Sequence, residues 1–216
     1  MQQKRQLRLV FLSILILLFL VGCGGSTQTY SESFDEVGNW RAAGDANVSG
    51  AVKNGVYDFN VLADRLSFWT TAGVEYGDGR YEVEAKQIEG PIDNGYGFIF
   101  RVDDENDDFY SFQISGDGFV WIGRYRDGGS EEAEPIVGDW WFESDAVNQG
   151  LDVVNKLGVE AEGQNMIFYV NNQEVGRVTD DAFTSGDIGL LVRTLGVGGV
   201  HVEFDNFTIT PIGTTN

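Results

Sequence analysis

Two glutamates, Glu82 and Glu84, are spaced so that they can act together. They lie at residues 81–86, which read YEVEAK and alternate apolar with charged residues. Because successive side chains of a strand point to opposite faces, both carboxylates are expected on the same face. Paired carboxylates can cleave a glycosidic bond, although this spacing predicts about 7 Å between them, longer than the ~5.5 Å of retaining enzymes. The alternative is an ordinary solvated strand face.

A run of acidic residues offers a second kind of chemistry. Residues 103–108 read DDENDD, and the candidate metal ligands are Asp103, Asp104, Asp107 and Asp108. Clustered carboxylates are candidate ligands for Ca²⁺, which accepts about six to eight oxygens. The spacing lacks the glycine and the distant glutamate of an EF-hand loop. A solvated hairpin loop that holds no metal or other cofactor is the alternative.

Polar residues on neighbouring predicted strands indicate a ligand surface. A tight turn at Gly116-Asp117 would pair residues 109–115 with 119–126 and collect Tyr110, Phe112 and Trp121 on one face, which we expect to be core. The other face then carries guanidinium and amide groups that can hydrogen-bond vicinal sugar hydroxyls, beside tryptophans that can stack on a sugar ring. The predicted ligand contacts are Arg101, Ser111, Gln113, Arg124, Trp69 and Trp140, with Trp141 as a further stacking candidate. The alternative is a sheet face in which both arginines pair with Glu82 and Glu84.

The only cysteine, Cys23, ends a motif that is typical of lipid attachment. It closes the sequence LVGC at residues 20–23, after a basic start and the apolar run Leu9–Leu20. That run suits a signal peptide better than a membrane span, which needs about 20 apolar residues. The motif resembles bacterial lipoprotein signals, in which the cysteine is acylated and becomes the first residue. A lipid anchor at Cys23 in the extracytoplasmic cell envelope is therefore expected, and a plain secretory signal with an incidental cysteine is the alternative.

The charge of the chain limits its partners. It has 14 Lys and Arg against 34 Asp and Glu, a formal net charge of −20, and loss of the signal would make it more negative. A field of that sign repels phosphate backbones, so nucleic acid is not an expected partner, whereas neutral sugars and cations are compatible with it. Because His201 is the only histidine, a histidine network or a histidine-rich zinc site is also excluded.

The elements that must position these residues are strands. From Tyr30 onward apolar residues alternate with period two between turn residues, which predicts an all-β domain with two antiparallel sheets. A change of parity between Phe204 and Phe207 predicts a bulge, and Asn171-Asn172 is typical of a tight hairpin turn. The predicted strands are 55–61, 66–71, 80–88, 96–102, 109–115, 119–126, 157–162, 166–171, 174–178, 188–194 and 200–210. The predicted divisions are a signal at 1–22, the lipidated cysteine with its tether at 23–29, one domain at 30–212 and a tail at 213–216.

Several of these segments together resemble the concanavalin A-like lectin/glucanase superfamily, and most of all its 3-keto-disaccharide hydrolase or family 16 glycoside hydrolase-like branch. The resemblance covers roughly residues 33–210. It is carried by residues 95–101, 109–118, 155–159, 167–171, 186–190 and 204–207. It implies a jelly-roll sandwich in which an N-terminal strand near Phe34 and Trp40 pairs beside the C-terminal strand. Sugars, where that superfamily binds them, usually lie on the concave sheet.

The resemblance implies less about activity than about fold, because the matching motifs are strand cores and turns. Family 16 enzymes carry an acidic series of the form Glu-x-Asp-x-x-Glu, and Gln87 stands where its last acid would be. We therefore expect a membrane-anchored, non-catalytic module that binds a glycan or an envelope component. The alternatives are a glycoside or 3-keto-disaccharide hydrolase and a structural envelope protein that binds other proteins.

Overall fold

The computed structural model describes residues 28–40, 42–126 and 133–212. The predicted signal, Cys23 and the predicted tail lie outside the described residues. Within these ranges the secondary structure is entirely β, and no helix that could span a membrane is found there. The strands are β1 (Tyr30–Glu32), β2 (Ala43–Gly44), β3 (Val48–Lys53), β4 (Val56–Val61), β5 (Ser67–Thr71), β6 (Gly79–Glu89), β7 (Gly95–Asp103), β8 (Asp108–Ser115), β9 (Phe119–Tyr125), β10 (Glu134–Pro135), β11 (Phe142–Glu143), β12 (Val154–Glu162), β13 (Asn165–Val170), β14 (Gln173–Thr179), β15 (Asp187–Arg193) and β16 (Val200–Thr210).

The strands form two antiparallel sheets. A nine-stranded sheet has the order β14-β13-β12-β6-β16-β4-β3-β2, with β1 also paired to β16. A seven-stranded sheet has the order β10-β9-β8-β7-β15-β5, with β11 also paired to β9. The predicted all-β, two-sheet sandwich is therefore confirmed.

The core lies between the two sheets and is rich in aromatic rings. Along β6, buried and half-buried residues alternate, as the period-two pattern of its sequence predicts. From the seven-stranded sheet, Phe98 and Phe112 contact each other with their ring centroids 5.9 Å apart. From the nine-stranded sheet, Phe168 packs edge-on against Phe112 at 5.4 Å, so the two layers interlock through aromatic contacts.

The predicted strands are all present, each within about three residues of its expected bounds. The predicted bulge in the last strand is confirmed, because the pairing of β16 with β6 shifts between Asp205 and Thr208. Asn171 and Asn172 have positive φ angles of 50° and 64°, as a tight hairpin turn requires. The N-terminal strand pairs beside the C-terminal strand as expected, but it is Tyr30–Glu32, and Phe34 and Trp40 follow it. The strands predicted from periodicity did not include β1, which only the resemblance implied, and the prediction lacked β2, β3, β10 and β11.

The predicted register of the β8–β9 hairpin is wrong by one residue. The expected two-residue turn would pair Ile114 with Phe119, whereas Ile114 pairs with Val120 in the structure. The turn closes with a hydrogen bond from the Gly118 N–H to the Ser115 carbonyl, and Gly118 adds one residue with a φ of +101°. A one-residue shift moves every side chain of β9 to the other face of the sheet. Trp121 therefore lies on the face that carries Ser111 and Gln113, not in the core.

Candidate binding site on the seven-stranded sheet

The outer face of the seven-stranded sheet, the one turned away from the core, combines aromatic rings with a buried amide. One row of side chains crosses five strands in register from β5 to β9. It places Gln113 between two tryptophans, with a glycine beside it that leaves room above the backbone. The members of the row, in order, are Trp69, Leu191, Gly97, Gln113 and Trp121.

Aromatic rings form a continuous chain across this face. Trp69 contacts Phe109 at 5.3 Å between ring centroids, and Phe109 stacks on Tyr125 at 4.7 Å. Trp121 then joins Tyr125 at 5.7 Å to Trp140 at 6.2 Å. Trp140 is 45 % exposed, whereas Trp121 is fully buried. Of the predicted stacking residues, Trp69 and Trp140 therefore lie on one aromatic surface, with only Trp140 well exposed.

Trp141 packs over Gly95, at the start of β7, on this face. It follows Trp140 in the segment between β10 and β11, both of which pair with β9. A Cβ added to Gly95 would lie 2.8 Å from Cη2 of Trp141 and 2.5 Å from Oε1 of Gln113, so the indole and the amide meet above that glycine. Ser111 and Gln113 are fully buried, which corrects the expectation of an open polar face. Their shared face is nevertheless the predicted one.

Three polar atoms on this face have no hydrogen-bond partner among the described residues: Gln113 Oε1, Trp121 Nε1 and Trp141 Nε1. The other end of the Gln113 amide is engaged, since its Nε2 donates to Ser111 Oγ at 2.9 Å. Buried polar atoms without a partner are uncommon because each costs about 1–3 kcal/mol. Two indole donors and one amide acceptor on this face are thus without a protein partner, and of their residues Trp141 also lines a cavity.

A cavity of about 350 Å³ opens at one end of the face. It lies where the loops after β6, β8 and β15 meet. Trp141 and Phe119 provide aromatic walls, and Ser115 donates its hydroxyl hydrogen to Asp117 Oδ1 at 2.5 Å. The size is within the range of about 300–1,000 Å³ that small-molecule sites occupy. The lining residues are Asp93, Ser115, Asp117, Phe119, Trp141, Leu195 and Gly196.

Arg101 does not lie on this face, which corrects the parity prediction. Regular pairing of β7 shifts after Phe100, and Arg101 is the extra residue, with a φ of +53°. A bulge of this kind redirects the side chain. The guanidinium turns toward the nine-stranded sheet, where it is buried and donates to the carbonyl oxygens of Gly163 and Phe183, both at 3.0 Å, and to Asp78 at 3.1 Å. The proposed binding site therefore does not include Arg101.

Arg124 also leaves the predicted face, because of the shifted hairpin register. It pairs across the sheet with Tyr110, whose ring faces the core. Its guanidinium forms ion pairs with Asp180 at 2.5 Å and Glu134 at 2.9 Å. Burial opposes ionisation of Asp180, but hydrogen bonds from Tyr110 and the Ala182 N–H, together with Arg124, hold its pKa below the ordinary value. Arg124 thus links β9 to the segment that precedes β15.

Glu82 and Glu84 lie together on one face as predicted, but on the outer face of the nine-stranded sheet. The whole sandwich therefore separates them from Gln113. Glu82 forms ion pairs with Arg80 at 3.0 Å and Lys156 at 3.1 Å, so neither expected arginine is its partner. Glu84 accepts a hydrogen bond from the Asn206 amide at 3.1 Å. A catalytic role for the pair stays a prediction.

The acidic loop forms the turn between β7 and β8, as its sequence indicates. Hydrogen bonds from the Asn106 amide and the Glu105 N–H lower the pKa of Asp103. Burial and the neighbouring Asp187 carboxylate raise the pKa of Asp104. Among the residues that the structure describes, no group of three or more His, Cys, Asp or Glu side chains converges as metal ligands. Calcium binding by Asp103, Asp104, Asp107 and Asp108 stays a prediction that a calorimetric titration with Ca²⁺ tests.

Sequence reasoning missed most of the cavity lining. Asp93, Phe119 and Leu195 belong to three separate connections or strand starts, and local periodicity does not show that they meet. One signal was present, because Gly95 and Gly97 alternate on the face that carries Gln113. Glycines in a strand interior often mark a place where another group approaches the backbone closely.

Comparison with known proteins adds structural neighbours of one fold. No family model and no curated protein sequence matches this chain. The carbohydrate-binding module CBM66 from Bacillus subtilis superposes with a TM-score of 0.63 at 18 % identity, covering 80 % of this chain and 96 % of the module. A prokaryotic β-1,3-1,4-glucanase (lichenase) derived from a mouse hindgut metagenome gives 0.62 at 15 % identity, covering 85 % and 99 %. Crh5 transglycosylase in complex with NAG gives 0.64 at 12 % identity, covering 88 % and 86 %.

At these identities the likeness establishes the fold, which is a concanavalin A-like jelly-roll sandwich. The expected jelly-roll fold is therefore confirmed. The neighbours include proteins that bind carbohydrate and proteins that cleave it.

Proposed function

We propose that this chain binds carbohydrate in the cavity at the end of the outer face, and that it does so as a lipid-anchored, non-catalytic module. The observation that carries the proposal is that Trp141, whose Nε1 is unpartnered, lines a cavity together with the ring of Phe119. Two further unpartnered atoms, Gln113 Oε1 and Trp121 Nε1, lie on the same face, and the Gln113 amide meets the Trp141 ring above Gly95. A sugar offers apolar ring faces to the aromatic walls. Its hydroxyl groups both donate and accept hydrogen bonds, so they match two indole donors and an amide acceptor.

The register of the strands supports an anchored binding module. Tyr30 pairs with Ile209 near one end of β6, and the cavity residue Asp93 follows the other end of β6. A strand of 11 residues is about 35 Å long. A tether from Cys23 would therefore enter the domain at the end opposite the cavity, which leaves the cavity directed away from the membrane.

Charge at the tether end should hold the domain off the membrane surface. The loops there expose acidic side chains that an anionic lipid surface repels within a Debye length of about 10 Å. A tether of residues 23–29, fully extended, spans at most about 25 Å. The exposed acidic residues at this end are Glu75, Asp78, Asp103, Asp104, Glu105, Glu162 and Asp181.

The anchor is tested by the Cys23→Ser variant, with incorporation of labelled fatty acid and membrane partitioning as readouts. We expect the label and membrane retention to be lost together, because acyl chains contribute about 0.8 kcal/mol per buried methylene. A Cys23→Ser protein that retains label would contradict the lipid anchor.

Carbohydrate binding is tested by a glycan array probed with the full chain in detergent, beside a Trp141→Ala variant. We expect binding that the variant loses, with the oligosaccharides intact by mass spectrometry. Release of shorter sugars, each gaining the mass of one water, would instead favour the hydrolase. No glycan signal, together with co-purification of a protein partner, would favour the structural envelope protein.

A further inference from the structure

We infer that the cavity is selective for a sugar that carries a free amine, a hexosamine that is not N-acetylated. This inference rests on the proposed function and specifies its ligand class. Two of the seven lining residues are the aspartates Asp93 and Asp117, and none of the lining residues is basic. The cavity therefore presents negative charge to whatever enters it.

The hydrogen-bonding groups near the cavity are mostly acceptors. Asp117 and Asp93 offer carboxylate oxygens, and Gln113 offers an Oε1 that is buried and unpartnered. Of these oxygens, Asp117 Oδ1 already accepts the Ser115 hydroxyl at 2.5 Å, which fixes the orientation of the carboxylate. An ammonium group has three donors and no acceptor, so it suits these oxygens better than a hydroxyl or an acetamide does. The unpartnered indole N–H of Trp141, which also lines the cavity, can donate to a neighbouring hydroxyl of the same sugar.

Among the residues that the structure describes, Arg193 is a cation on this face, and its contacts are not with the two aspartates. Arg193 donates to the Tyr125 hydroxyl at 3.2 Å, and its guanidinium lies 6.0 Å from the ring centre of Trp140. It is thus directed toward the aromatic surface. The formal net charge of −20 adds a long-range field of the same sign as the cavity. The two aspartates of the cavity and the negative net charge of the chain both favour a cationic sugar and oppose uronates and sugar phosphates.

The test measures binding of the full chain to three β-1,4-linked tetrasaccharides that differ only at carbon 2. Their repeating units are glucosamine, N-acetylglucosamine and glucose, at about pH 6, where the amine is protonated. We expect the glucosamine oligomer to bind about fivefold more tightly than the other two, as for one partly exposed ion pair. The preference should shrink in about 0.5 M salt because screening weakens the pair.

Two variants separate charge from shape. Asp117→Asn keeps an oxygen that can accept from Ser115, so it should remove the preference for the amine while glucose-oligomer binding persists. Asp181→Asn, an exposed aspartate at the opposite end of the sandwich, should leave the preference unchanged. Equal affinity for the three oligomers, or an unchanged preference in Asp117→Asn, would overturn the inference.

Failure of the amino-sugar inference can be distinguished from failure of the proposed carbohydrate binding. If the array shows glycan binding that depends on Trp141 but the amine gives no advantage, the ligand class is wrong and carbohydrate binding stands. If none of the three oligomers binds while another glycan does, the amino-sugar inference also fails. Absence of all glycan binding would refute both.

Discussion

Replacement of the buried Arg101 by alanine should destabilise the domain strongly. The side chain is fully buried, and it donates to two backbone carbonyls and to Asp78. A hydrogen bond from a charged donor contributes about 1.5–3 kcal/mol, so the two carbonyl contacts dominate. The pair with Asp78 adds less than about 1 kcal/mol, because the Asp78 side chain is 42 % exposed and solvent screens it. We expect Arg101→Ala to lower the free energy of unfolding by about 3–5 kcal/mol.

The assay is urea denaturation followed by the fluorescence of the five tryptophans. At about 2–4 °C per kcal/mol, the melting temperature should fall by roughly 6–20 °C. The matched control is Arg177→Ala, since Arg177 is 66 % exposed and pairs with the exposed Glu174, and we expect a change within about 0.5 kcal/mol. Equal losses of unfolding free energy in the two variants would refute the structural role assigned to Arg101. So would an Arg101→Ala protein that keeps its stability and loses glycan binding.

Two further predictions concern the cavity and the acidic loop. Gly95→Ala places a Cβ 2.5 Å from Gln113 Oε1, so it should displace Trp141 and weaken glycan binding. It should also lower the free energy of unfolding by about 1–3 kcal/mol. In the control Gly158→Ala the new Cβ lies 3.6 Å from its nearest neighbour, so neither glycan binding nor stability should change. The pKa of Asp104 is raised above its ordinary 3.8 by burial and by Asp187, so ionisation at neutral pH opposes folding. Asp104→Asn should therefore raise the melting temperature at pH 7, and the gain should disappear below the ordinary pKa. Asp103→Asn should do the opposite, because hydrogen bonds lower the pKa of Asp103 and its ionised form favours folding. Thermal melts of both variants, from pH 7 to a pH below 3.8, test both expectations.

The fold could be predicted because its determinants are local. Alternation along 79–89, and along 200–210 on either side of its bulge, with turn residues between runs, specifies strands and their buried faces. The missed strands β10 and β11 are two residues each, too short to show a period. Their pairing with β9 depends on tertiary contacts rather than on their own sequence.

The site was predicted in part, and two single residues explain most of the error. Because Gly118 adds one residue to the turn, Trp121 lies on the outer face and Arg124 on the opposite one, the reverse of the prediction. The bulge at Arg101 turns its side chain inward. Parity carries a side-chain assignment only as far as the next bulge. Ser111 and Gln113 lie between the two irregularities, on the regularly paired part of β8, so their face was assigned correctly. The position of Trp141 against Gln113 depends on how the segment between β10 and β11 packs on β9, and the periodicity of the sequence does not encode that contact.

Binding of carbohydrate beside Trp141 and Gln113 can be followed at the indole N–H signals in a nuclear magnetic resonance titration. The five tryptophans give separate probes. Trp40 is an internal control, because it is fully buried in the core and donates to the Tyr30 hydroxyl at 2.8 Å. On addition of the glycan that the array identifies, we predict that the Trp141 and Trp121 indole signals shift while the Trp40 signal stays. A titration that moves Trp40 but leaves Trp141 and Trp121 in place would contradict the account.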